Sequence, residues 1–159
     1  MAAPRQTADQ ARRSGVKEGA ARTLAQTACL AIGATLIAVG VLGFIFGGSN
    51  FNAGGTVQGK EFLIFEVNGW HNIVHLATGA FLVLMAAKAK SAVTGLLVFG
   101  VVYVVVTVWG FIDGNDIAAI VPVNTADNWL HFALAVAAIA IALSAGGLAK
   151  RANTEGRTA

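Results

Sequence analysis

The chain has 159 residues, 56% of them hydrophobic and only 12% charged, with a mean hydropathy of +0.69. An ordinary soluble domain carries roughly 25% charged residues, so this composition excludes a typical water-soluble globule and leaves room for one membrane-embedded domain. The net charge of +3 would suit a nucleic-acid partner only if the basic residues formed a patch; they lie instead almost entirely in the two terminal tails and one short link between apolar blocks, and no nucleic-acid partner is expected.

Residues 1–23 are polar and rich in Ala, Arg and Gln, and read as a disordered or loosely helical cytoplasmic tail. A signal peptide is not expected, because the charged region is long and the apolar run after it has no small-residue exit. That run, residues 24–46, is long enough for a first membrane helix. It is rich in small residues, among them Gly33, Gly40 and Gly43, which let helix backbones approach closely in lipid. Its single cysteine, Cys29, reads as a small buried hydrophobe. Gly47-Gly48-Ser49-Asn50 ends the span, and a polar loop follows to Val67. Within it, residues 61–66 suggest a short turn of helix lying on the headgroups.

The second span is expected over residues 68–87, with Asn68 as its N-cap. Lys88 and Lys90 lie in a very short link to a third span over 92–112. The β-branched run Val101 to Val108 would suit a strand in water, but an open strand edge cannot sit in lipid, so a helix is expected. Mid-span Tyr103 needs a hydroxyl partner, with Thr35 or Thr107 as candidates. An acidic loop over 113–126 leads to a fourth span over 127–148, capped by Asn124 or Thr125, and a polar tail over 149–159. The predicted fold is all-α: a four-transmembrane-helix bundle with residues 24–148 as the membrane domain. The two tails and the 88–91 link hold ten of the eleven Lys and Arg residues, while the two long loops, with Asp127 at the start of the fourth span, hold Lys60 and five of the eight acids. This asymmetry predicts a bacterial plasma-membrane protein with both termini cytoplasmic.

Val67-Asn-Gly-Trp-His-Asn-Ile-Val-His-Leu-Ala77 and Val123-Asn-Thr-Ala-Asp-Asn-Trp-Leu-His-Phe-Ala133 lie 56 residues apart and agree at five of eleven positions. Gly43-Phe-Ile-Phe-Gly47 likewise resembles Gly110-Phe-Ile-Asp-Gly114. A duplicated helical hairpin, with the two copies in parallel, accounts for both matches. Residues Glu66 to Gly79, together with Asn124 to His131, resemble the family catalogued as domain of unknown function 4383. The resemblance covers residues 24–148, and Gly69-Trp70 stands where many relatives have a proline after the Asn. It implies a small bacterial, mostly actinobacterial, membrane protein with four spans. It brings no activity.

On a helix, Asn68, His71, Asn72 and His75 share one face, and so do Asn124, Asp127, Asn128 and His131. The first reading is structural: Asn68 caps, Asp127 complements the positive end of a helix, and Asn72, His75, Asn128 and His131 hydrogen-bond across helices. This gives an accessory membrane protein without enzymatic activity and with no cofactor. The expected partners are the lipid bilayer and, through the small-residue faces, a second copy or another membrane protein. The alternative is a divalent metal ion held by His71, His75, Asp127 and His131, or a non-covalent haem b between His75 and His131. No serine lies where a partner could activate it, so no catalytic residue is assigned.

Overall fold

The computed structural model describes residues 23–55, 57–114 and 116–155. Residues 1–22 of the expected N-terminal tail and 156–159 of the expected C-terminal tail therefore lie outside the described residues. The chain is mostly helical, with four helices: α1 (Leu24–Phe46), α2 (Gly69–Met85), α3 (Ala89–Asp113) and α4 (Thr125–Glu155). Two small antiparallel hairpins are inserted between them, β1 (Lys60–Phe62) with β2 (Phe65–Val67), and β3 (Asp116–Ile117) with β4 (Val121–Pro122).

Helix α1 begins at a capping box. The Thr23 hydroxyl accepts from the Gln26 N–H and the Gln26 side chain accepts from the Thr23 N–H, so two otherwise orphaned donors are satisfied. Beyond it, Ala25, Cys29, Gly33, Leu36, Gly40 and Gly43 are buried and recur three and four residues apart, a single stripe facing α2. A Cβ on Gly33 would come within 2.8 Å of the Gly79 carbonyl, and one on Gly79 within 2.7 Å of the Gly33 carbonyl. The two backbones touch there, an approach that only residues without a side chain permit. Outside the stripe the residues are as apolar as within it: Val41, Leu42, Ile45 and Phe46 are exposed. A helix apolar all round is built for lipid rather than for a water-facing surface.

Helix α1, helix α3 and residues Thr125–Gly146 of α4 are each long and apolar enough to cross a membrane. Helix α2 has 17 residues, which at about 1.5 Å per residue falls a little short of a bilayer core about 30 Å thick. It ends at Met85, sooner than expected, because Ala86 and Ala87 already form the turn into α3. Helix α1 packs chiefly on α2 and α3 chiefly on α4. All four helices feed one apolar core, with Cys29, Leu82, Leu96, Phe99 and Ala138 among its buried members.

Three expectations are corrected. Residues 61–66 do not form a helical turn; they are most of the first hairpin, in register Lys60 with Val67, Glu61 with Glu66 and Phe62 with Phe65. A six-residue helical turn would leave most of its backbone groups unpaired, whereas the hairpin pairs them within itself and against the rest of the molecule. Helix α4 does not end with the expected fourth span at residue 148 but continues through Gly146 and Gly147 to Glu155. Two glycines weaken a helix by about 1 kcal/mol each, yet the Leu, Ala, Lys and Arg residues that follow are strong helix formers. The Tyr103 hydroxyl meets Thr78, at 3.5 Å, rather than Thr35 or Thr107.

Candidate functional site

Both hairpins lie at the same end of the helices as the first turns of α2 and α4, and the candidate residues of the sequence converge there. Asn68 caps α2: its Oδ1 accepts from the His71 N–H at 2.8 Å. Asn124 caps α4 in the same way, accepting from the Asp127 N–H at 3.0 Å. The remaining half of each carboxamide reaches across to the other hairpin. Asn68 Nδ2 donates to the Ile120 carbonyl at 2.9 Å, and Asn124 Nδ2 donates to the Ile64 carbonyl at 2.8 Å. Donors and acceptors are both 56 positions apart. Asp127 adds a third tie, because its Oδ2 accepts from Asn124 N at 3.1 Å and from Glu66 N at 3.2 Å.

One turn further in, Asn72 Nδ2 donates to the Gly48 carbonyl just beyond the end of α1, at 2.7 Å. Its Oδ1 occupies the place where a Cβ of Gly43 would be, and Asn128 Oδ1 occupies the equivalent place at Gly110. This explains the repeated Gly-Phe-Ile motif at the ends of α1 and α3: each glycine leaves a seat for the carboxamide of the helix that follows it.

The histidines occupy the middle of this frame. His71 is fully buried, and its Nδ1 lies 3.0 Å from the Glu66 carbonyl and 3.0 Å from the Pro122 carbonyl. A ring nitrogen between two carbonyl oxygens has to carry the proton, since neither oxygen can donate. Nε2 of neutral His71 is therefore a bare acceptor, and it stands 4.0 Å from Asp127 Oδ1. His75 and His131 are 8% and 5% exposed. The ring centroids are 4.6 Å apart for His71 and His75, 6.1 Å for His71 and His131, and 6.4 Å for His75 and His131. Tyr103 stacks edge-on against His131 at 5.2 Å. One ligand-capable atom from each histidine lies within 4.8 Å of those of the other two. Val102, Tyr103 and Val121, together with the three histidines, border a cavity of about 110 Å³.

The structure thus brings all eight sequence candidates to one end of the helices, but it divides their work. Asn68, Asn72, Asn124 and Asp127 make the ties between elements, whereas Asn128 does not hydrogen-bond a neighbouring helix through its Oδ1 as expected: that atom is buried without a partner among the described residues. His75 and His131 do not hydrogen-bond neighbouring helices as expected: the Nδ1 atom of each is buried without a partner among the described residues. Asp127 lies against His71 alone and outside the mutual grouping of the three imidazoles. Sequence reasoning missed the carbonyls of Ile64, Glu66, Ile120 and Pro122. The 56-residue offset relates Ile64 to Ile120 as it relates Asn68 to Asn124, so the repeat could have pointed to two of them.

Apolar helices that expose large hydrophobic side chains, with a buried polar cluster confined to one end, define a small helical membrane protein. Within that class, the chain belongs to the family described as Domain of unknown function (DUF4383), whose model matches residues 26–144. No curated protein and no solved structure matches the chain.

Proposed function

We propose that the chain is a structural or accessory protein of the bacterial plasma membrane, non-enzymatic, with four spans in one bundle and both termini cytoplasmic. In this reading it is a duplicated helical hairpin, α1–α2 and α3–α4, with the two copies in parallel. The Asn/Asp/His cluster at the outer end is the clamp between the copies. The observation that carries this reading is the reciprocal pair of bonds from Asn68 to Ile120 and from Asn124 to Ile64. Each copy caps its own helix with one atom of the carboxamide and holds the hairpin of the other copy with its neighbour. The Gly43–Asn72 and Gly110–Asn128 seats support it at a second pair of positions.

Such a clamp suits a domain whose helices have little else to hold them at that end. In lipid, apolar side chains gain little by leaving the acyl chains for one another, so association rests on close packing and on hydrogen bonds of about 0.6 to 2 kcal/mol. The test is thermal unfolding of the full chain in mild detergent. Asn68→Ala and Asn124→Ala each remove a cap and a cross-tie, and each is expected to lower stability by about 1–3 kcal/mol. The double variant should lose more than either alone. Unchanged melting temperatures in both single variants would overturn the clamp.

A further inference from the structure

We propose that His71, His75 and His131 form a binding site for one divalent d-block cation, with Zn²⁺ the best match. The site goes beyond the clamp described above. The clamp uses the asparagines and the Asp127 carboxylate; it leaves unexplained why three imidazoles are buried together, two of them with an unpartnered ring nitrogen. Burying a polar atom without a partner costs about 1–3 kcal/mol, and two such atoms within one cluster call for a common partner.

Three features of the geometry point to a cation as that partner. First, the spacing is near what a metal requires. Imidazole nitrogens bind Zn²⁺ at about 2.0–2.1 Å, which sets neighbouring ligand atoms in a tetrahedral site about 3.3 Å apart and ring centres about 5 Å apart. The observed centroid separations of 4.6, 6.1 and 6.4 Å bracket that value. Ligand atoms within 4.8 Å of one another reach it by a contraction that rotation of the rings supplies. Second, His71 is already held as a metal ligand is held. Its Nδ1–H is fixed by the Glu66 and Pro122 carbonyls, which presents Nε2 as a lone pair of set direction, the usual outer-shell arrangement of ligating histidines. Third, that lone pair and Asp127 Oδ1 face each other at 4.0 Å. A cation bound at that nitrogen would lie beside the Asp127 carboxyl group. Asp127 also supplies one negative charge to offset part of the charge that a divalent ion would bring into an apolar surrounding.

The donor set selects the ion. Three neutral imidazoles suit Zn²⁺ and its neighbours in the d-block, whereas Mg²⁺ and Ca²⁺ require oxygen ligands. A thiolate-seeking ion has no sulfur here, because Cys29 points to the Ala92 carbonyl near the opposite end of the helices. A haem between His75 and His131 would need several hundred Å³, against a cavity of about 110 Å³. That cavity has room for a water molecule on the ion, so three protein ligands leave a fourth position for solvent.

The experiment uses the full chain carrying a non-histidine affinity tag, purified in mild detergent and stripped with a chelator. Co²⁺ is added first and Zn²⁺ second. The expected result is a visible d–d absorption that saturates at one Co²⁺ per chain and is bleached by one Zn²⁺, with elemental analysis giving one zinc per chain. His75→Gln and His131→Gln keep side-chain bulk and polarity; each is expected to weaken binding by about a hundredfold or more, since loss of an outer-shell partner alone costs about 10- to 100-fold. Wild-type chain that takes up less than a tenth of an equivalent of both metals overturns the proposal, and this measurement needs no variant to fold. Wild-type affinity in folded His75→Gln or His131→Gln overturns it as well. Either failure leaves the clamp standing, because that reading is decided by the Asn68 and Asn124 variants.

Discussion

At the scale of single residues, the two glycines that seat the carboxamides carry the sharpest consequence. Asn72 and Asn128 are fully or almost fully buried, and each places its Oδ1 where a methyl group on Gly43 or Gly110 would stand. The Asn72 carboxamide cannot swing away cheaply, because it would lose its bond to the Gly48 carbonyl. Gly43→Ala and Gly110→Ala are therefore expected to destabilise the protein by about 1–3 kcal/mol each, although alanine is the better helix former. Gly146→Ala is the internal control. It also lies within a helix, but an added Cβ there meets nothing within 4 Å, so only propensity acts and stability should rise, by up to about 1 kcal/mol. Thermal unfolding of the three variants in one detergent checks both signs. The sequence exposed these positions well. The 56-residue offset selected Asn68, Asn72, Asn124 and Asn128, and the repeated Gly-Phe-Ile selected Gly43 and Gly110. It did not reveal the partners of His71, because these are main-chain carbonyls whose placement depends on the fold of the hairpins, not on any side-chain signal.

At the scale of elements, the four helices are legible from long apolar runs, and α2 and α4 also from their caps, while the hairpins are not. Strands of two and three residues are too short for an alternating pattern to emerge. Their turns also lack the usual residues: Leu63, Ala118 and Ala119 adopt positive φ values of 60°, 57° and 52°, where glycine or asparagine would be expected. The second turn is braced by side-chain and loop bonds. Asp116 Oδ1 accepts from Ala119 N at 2.7 Å, and the Gly54 N–H donates to the Ala119 carbonyl at 2.9 Å. These bonds hold the Ile120 carbonyl beside Asn68, so the left-handed turn and the clamp form one unit. A left-handed alanine costs roughly 1–2 kcal/mol and a branched residue more. Ala119→Gly should leave stability unchanged or raise it by up to about 1 kcal/mol, the relief of strain being partly offset by backbone entropy. Ala119→Val should lower it by about 1–2 kcal/mol. The pair can be measured by thermal unfolding, and equal melting temperatures for Gly and Val would show that this turn does not constrain the clamp.

At the scale of the whole molecule, the proposed orientation rests on charge. Lys88, which precedes α3, and Lys90, in its first turn, lie at the end of the helices opposite the hairpins, while the hairpin end carries Glu61, Glu66, Asp113, Asp116 and Asp127 against a single basic residue, Lys60. Positive residues stay on the cytoplasmic side during insertion, so the hairpins and the Asn/His cluster should face outward, and an ion reaching the three histidines would come from outside the cell. Two cysteines in a Cys29→Ala background test this directly. Ala53 and Ala87 are both exposed, the first in the loop before β1 and the second in the turn between α2 and α3. Ala53→Cys should react with a membrane-impermeant maleimide in intact spheroplasts, and Ala87→Cys only after permeabilisation. The reverse pattern would turn the molecule over and move the cluster to the cytoplasmic face. Labelling of both positions from outside would mean that α2, the shortest helix, fails to cross, which would leave three spans and separate the two copies of the hairpin by topology.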